Sequence, residues 1–159
     1  MAGAILVRDI MTRSVKTVRP DSTVIEAIRK MNKFDIGSIV VVHEGRPVGI
    51  ITGRDILRRI VEPGLDPEVV RAREVMSSPP ATIREDAVVE EATEAMTRRG
   101  IKKLPVVSGG RLIGIVTATD LVRSEPKMLS VLEGLLWTRR TPAAGRKPET
   151  RQRPQVNEV

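Results

Sequence analysis

The chain has 159 residues, a formal net charge of +7 and no cysteine. That length supplies one domain's core, or two small halves sharing one, and the missing thiols exclude a disulfide framework, a thiolate metal site and a cysteine nucleophile. Phe34 and Trp137 are the only aromatic residues, so the core must be aliphatic and a stacked aromatic platform for bases is disfavoured.

Met1 to Arg8 is too short and too soon charged for a signal peptide, and no apolar run approaches a membrane span. The expectation is a soluble, cytoplasmic chain with no membrane attachment. Val7 to Met11 reads as a short lead helix. Asp21-Ser22-Thr23 is a helix-start cluster, and Thr23 with Glu26 has capping-box spacing. Val24, Ala27, Ile28 and Met31 then follow on one helical face. The β-branched run Ile39 to Val42, the dipeptide Glu44-Gly45 and the run Val48 to Ile51 read as two strands joined by a tight turn. A short helix is expected over Ile56 to Val61, and Pro63-Gly64-Leu65-Asp66-Pro67 then breaks the chain.

The pattern returns 65 residues on without a gap. Gly49-Ile50-Ile51-Thr52-Gly53-Arg54-Asp55 becomes Gly114-Ile115-Val116-Thr117-Ala118-Thr119-Asp120, and about 18 of some 51 aligned positions are identical. The second copy has its lead helix at Ala72 to Met76 and a helical face of Asp86, Val89, Ala92 and Met96. Its turn is Gly109-Gly110, and its last helix spans Leu121 to about Arg123. Pro105 places the start of its first long strand at an edge or opening position. The expected fold class is α/β, two β-α-β-β-α repeats packed about a pseudo-two-fold axis. The repeats cover residues 5–62 and 70–124. Met128, Leu129, Val131, Leu132, Leu135, Leu136 and Trp137 give 125–137 the pattern of an amphipathic helix. Residues 138–159 hold Arg139, Arg140, Arg146, Lys147, Arg151 and Arg153 against two glutamates and little to bury, which predicts a disordered basic tail.

Thr52 and Asp55 have two readings. A threonine at N-cap and an acid at N3 form a capping box that needs no ligand. A helix start bearing a hydroxyl and a carboxylate also suits a phosphate and a ribose. Recurrence of Gly49 as Gly114, which capping does not require, favours the second reading, since glycine permits close approach of a ligand or of backbone. His43 reads as a lone exposed histidine and Glu90-Glu91 as first-turn helix charges. No Ser/His/Asp constellation or metal-ligand cluster is present, so neither catalysis nor a metal site is expected.

The duplicated Gly-h-h-Thr-x-x-Asp (h, hydrophobic), each copy opened by a segment like Val7-Arg8-Asp9-Ile10-Met11-Thr12, resembles a pair of cystathionine-β-synthase (CBS) domains over about residues 5–124. The resemblance implies a regulatory module, not an enzyme, binding AMP, ADP, ATP, S-adenosylmethionine or NAD between repeats, with no required cofactor. It implies one site of Thr117, Thr119 and Asp120 with Thr17, Ile36, Gly37 and Ser38. The other would combine Thr52, Arg54 and Asp55 with Thr82, Ile101, Lys102 and Lys103. The aspartates would hold ribose, and Ile50 and Ile115 would press on adenine. Lys102, Lys103 and Arg54 replace Gly37, Ser38 and Thr119, so the Asp55 site is the more cationic. The resemblance also implies a homodimer of pairs, with apolar surface on Ile56, Leu57, Ile60, Leu121 and Val122, and a regulated protein as partner. The alternative function is nucleic-acid binding by the basic tail, which would be steeply salt-dependent.

Overall fold

The computed structural model describes residues 3–124; the expected helix at 125–137 and tail at 138–159 lie outside the described residues. The first repeat runs α1 (Val7–Ile10), β1 (Thr17–Val18), α2 (Val24–Lys33), β2 (Ser38–His43), β3 (Arg46–Thr52) and α3 (Gly53–Ile56), which continues as a π-helical turn over Leu57–Val61. The second runs α4 (Ala72–Val75), β4 (Ile83–Arg84), α5 (Val89–Arg99), β5 (Lys103–Ser108), β6 (Arg111–Thr117) and α6 (Ala118–Ser124). The expected element order holds in both. Both final helices begin earlier than their apolar residues suggested, directly at the Thr-x-x-Asp turn. Asp86, expected on the α5 face, lies ahead of the helix and pairs with Arg84 at 2.8 Å.

Each repeat folds a three-stranded sheet, β1-β2-β3 and β4-β5-β6, with the first pair parallel and the second antiparallel. The hairpin turns need a left-handed backbone at both central positions, and Glu44, Gly45, Gly109 and Gly110 all have positive φ. Helix α2 is capped by the Thr23 hydroxyl, which accepts from the Glu26 amide at 3.4 Å, and buries Val24, Ala27 and Met31. Alternation sends Ile39, Val41 and Ile51 into the same aliphatic core. The core is aliphatic throughout, and Phe34 is an exposed ring under the Lys16 ammonium, 4.2 Å from its centroid.

Pro105 is not on an edge. It is fully buried in the middle strand β5, opposite Ile115. Its effect falls on the parallel side. In the first repeat Thr17 pairs with Val40, whereas in the second the parallel pairing starts one step later, at Ile83 with Val106. A proline has no amide to donate there, so Thr82 is left outside the strand.

The two cores are built by exchange. Helix α1 belongs by sequence to the first repeat, yet Val7 is fully buried with Ile83, Val89, Leu104 and Val116 of the second. Its backbone is tied there by Val7 N–H to Ala87 O (2.8 Å), Arg8 N–H to Glu85 O (3.0 Å) and a two-way bridge between Thr12 and Ile115. Helix α4 repays the exchange, with Ala72 and Val75 in the core of the first repeat and Ser77 bridged to Ile50. Burying one valine is worth about 1.5–3 kcal/mol, so each repeat depends on the lead helix that precedes its partner's first strand.

This exchange accounts for Gly49 and Gly114. A Cβ on Gly114 would sit 2.5 Å from the Met11 sulfur and 3.0 Å from the Thr12 carbonyl oxygen, and a Cβ on Gly49 would overlap Met76. The close approach expected of a ligand at these glycines is made by a methionine of the exchanged segment, so their recurrence reports packing. Of the apolar residues expected to form a dimer surface, Ile60 and Leu121 are buried within the chain, Ile56 and Val122 are half-buried, and Leu57 is exposed along with Val61.

Candidate functional site

At the end of β3 the chain turns directly into α3, and the turn is a complete capping box. The Thr52 amide donates to Asp55 Oδ2 at 2.9 Å, the Asp55 amide donates to Thr52 Oγ1 at 3.2 Å, and the Thr52 hydroxyl donates to Asp55 Oδ2 at 3.0 Å. The second oxygen of Asp55 accepts from the Ser77 hydroxyl at 3.3 Å, a bond that comes from the exchanged segment. The second repeat makes the same reciprocal pair, from the Thr117 amide to Asp120 at 2.9 Å and from the Asp120 amide to Thr117 at 3.2 Å. The capping reading is therefore realised in both copies.

A cleft of about 1000 Å³ opens beside the first of these turns. One wall is Ile50, Thr52, Gly53 and Arg54, with Gly37 and Ser38 from the start of β2. The facing wall comes from the second repeat: Arg99, Gly100, Ile101, Lys102, Lys103 and Pro105. Ser77 and the run Pro79 to Ala81 close one side, and the Ser78–Pro79 peptide is cis. The apolar lining is aliphatic and prolyl, and every charged lining residue is basic.

The structure thus brings Thr52, Arg54, Ile101, Lys102 and Lys103 to one cleft, as grouped from the sequence. Asp55 and Thr82 do not line it: Asp55 is turned into its own cap, and Thr82 lies just ahead of β4 with an exposed side chain. Gly37 and Ser38, grouped with Asp120, also line this cleft. The reason is local: Ser38 pairs with Thr52 across the β2–β3 ladder, and Gly37 O accepts from the Gly53 amide at 3.1 Å. The equivalent bond, Ala118 N–H to Lys102 O at 2.8 Å, places Lys102 beneath α6. Ile36 and Ile101 are half-buried against their own cores, Ile50 and Ile115 are half-buried, and Thr119 is exposed. Thr17 lies in β1 and its carbonyl accepts from the Lys30 ammonium at 2.7 Å.

Sequence reasoning missed three features. Arg99 reaches the cleft because Gly100, left-handed at φ 63°, ends α5 and reverses the chain; a Gly closing a helical run was the available signal. Ser38 Oγ is buried with no hydrogen-bond partner among the described residues, and it stands on the cleft wall. An unmet buried hydroxyl costs about 1–3 kcal/mol, and nothing local in the sequence marks it. Arg59, in the turn after α3, donates to the carbonyls of Val75 and Met76 at 2.7 and 2.9 Å. No group of three or more His, Asp or Glu residues able to hold a metal occurs among the described residues, and no described helix is long and apolar enough to cross a membrane.

Two similar α/β repeats exchanging lead segments around a shared cleft define a tandem-repeat module. The CBS domain family matches at residues 7–62 and again at 72–127, and the chain belongs to that family as a CBS-domain pair. It is 41% identical over 132 residues to an uncharacterized protein of Methanopyrus kandleri, covering 82% of this chain and 67% of that one. It is also similar to a solved structure of Hypoxic Response Protein I with two coordinated zinc ions, at 32% identity and a TM-score of 0.69, covering 74% of this chain and 97% of that one. A hexameric CBS-CP12 protein from bloom-forming cyanobacteria aligns at 28% identity and a TM-score of 0.68, over 87% and 80% of the two chains.

Proposed function

We propose that this CBS pair is a regulatory module that binds a phosphorylated adenosine ligand in the cleft between its repeats and has no catalytic activity of its own. The observation that carries this reading is the meeting, in one cleft, of Thr52 and Arg54 from one repeat with Lys102 and Lys103 from the other. The lysines and Arg54 supply charge-assisted donors to phosphate, and the aliphatic wall of Ile50 and Ile101 offers a surface for adenine. Ser38 Oγ gains a partner when a polar ligand fills the cleft. Asp55 takes ribose by releasing Ser77, which ties occupancy to the exchanged lead segment of the second repeat. The second, more neutral turn at Asp120 is a weaker site of the same kind.

A ligand held by both repeats favours the packing in which both walls reach it, and a partner protein reads that shift. Differential affinity for two arrangements is the only source of such a response. Exposed Leu57 and Val61 suit contact with a second copy, giving a homodimer of pairs. A thermal-shift panel of AMP, ADP, ATP, S-adenosylmethionine and NAD tests the reading. A ligand at about a hundred times its Kd adds roughly 2.7 kcal/mol to stability, and no shift with any of the five rejects it.

A further inference from the structure

The cleft carries more positive charge than a monophosphate needs. Arg99 ends α5, and the left-handed Gly100 folds the chain back so that Arg99 lines the same space as Arg54, Lys102 and Lys103. Among the described residues none of these four side chains forms an ion pair with a carboxylate. Asp55, the acid nearest Arg54 in sequence, is already engaged by Thr52 and Ser77. A phosphate monoester brings about −1.5 to −2 charges at neutral pH, which leaves the wall of four cations only partly neutralised. The cleft volume of about 1000 Å³ lies at the upper end of small-molecule sites, so length is not limiting.

We infer that Arg99 is a specificity residue for a second phosphate, and that the cleft selects a nucleoside di- or triphosphate over the monophosphate. This rests on the cleft being a nucleotide site. Arg54 and Arg99 come from different repeats, so a ligand with an extended phosphate chain bridges them, whereas a monophosphate satisfies Lys102 and Lys103 and leaves Arg99 in solvent. Selectivity for chain length is then a property of the helix end and separate from recognition of the nucleoside.

Calorimetry on the full chain with adenosine, AMP, ADP, ATP and inorganic tripolyphosphate tests this, in the native protein and in Arg99→Gln and Arg99→Lys. Arg99 is exposed at a helix end, so unchanged melting temperatures are expected and serve as the control. The expected result is affinity rising about tenfold or more from AMP to ADP, a rise flattened by Arg99→Gln and restored in part by Arg99→Lys, with ADP losing far more affinity than AMP in Arg99→Gln. Equal affinity for AMP, ADP and ATP overturns the inference and leaves the nucleotide reading standing. A rise that survives Arg99→Gln overturns the role of Arg99. Tripolyphosphate binding without any nucleotide binding sinks the nucleoside reading and, with it, this inference.

Discussion

At the residue scale, one side chain serves two ends. Asp55 closes the N-terminus of α3 and accepts from Ser77 across the repeats. Asp120 makes the same cap, and no bond from Thr12, the counterpart of Ser77, reaches it among the described hydrogen bonds. Loss of a cap costs about 1 kcal/mol. Asp55→Ala and Asp120→Ala are therefore each expected to lower stability by about that much in urea unfolding, and each to lower nucleotide stoichiometry. Unchanged stoichiometry in both would reduce the aspartates to caps. Glycines 49 and 114 belong to packing. Gly49→Ala drives a Cβ into Met76 and Gly114→Ala into Met11 and the Thr12 carbonyl, and overpacking of this kind costs about 1–3 kcal/mol. A smaller loss in Gly49→Ala paired with Met76→Ala than in Gly49→Ala alone is the expected result.

At the element scale, the turn after α3 is fastened to the exchanged segment. Arg59 holds the carbonyls of Val75 and Met76, while Ser124, the corresponding residue of the second repeat, bonds within its own helix to Leu121 O. Arg59→Ala is expected to lower stability by about 1–2 kcal/mol and to speed amide exchange at Ser77, with Ser124→Ala nearly neutral. Much of this layer was legible in the sequence. The fixed 65-residue offset gave both repeats, the helical spacing of Val24, Ala27 and Met31 gave a buried face, and Glu44-Gly45 and Gly109-Gly110 marked the turns. Local periodicity carries no information about partners at long range, and there the reading changed. It could not show that Val7 lies in the other core, that Met76 faces Gly49, or that Pro105 occupies a central strand by displacing the parallel pairing. For the cleft, the residue types at Thr52, Arg54, Lys102 and Lys103 were visible. Gly37 and Ser38, grouped with Asp120, also stand beside Thr52 and Gly53, a neighbourhood set by strand pairing that a fixed offset does not show.

At the scale of the whole molecule, the exchange makes the pair one cooperative body. Small halves bury too little to stand alone, and here each also lacks part of its core. Deleting residues 1–12 removes sequence next to the first repeat but takes Val7 from the second. Hydrogen exchange should therefore quicken most in β4–β6, residues 83–117, and less in β1–β3. Faster exchange concentrated in residues 17–52 would contradict the exchanged architecture. The same coupling would give a ligand its leverage under the proposed function, since the cleft is lined by both repeats and by Ser77, which follows the exchanged helix α4.

The measurement that bears most directly on the account is calorimetric titration of AMP and of adenosine into the native chain and into Lys102→Ala/Lys103→Ala. Charge-assisted bonds to phosphate are worth about 1.5–3 kcal/mol each. AMP is expected to bind more tightly than adenosine to the native chain. The double substitution is expected to weaken AMP by about tenfold or more while leaving adenosine nearly unchanged. Equal losses for the two ligands, or no binding of AMP by the native chain, would contradict a phosphate-reading cleft between the repeats.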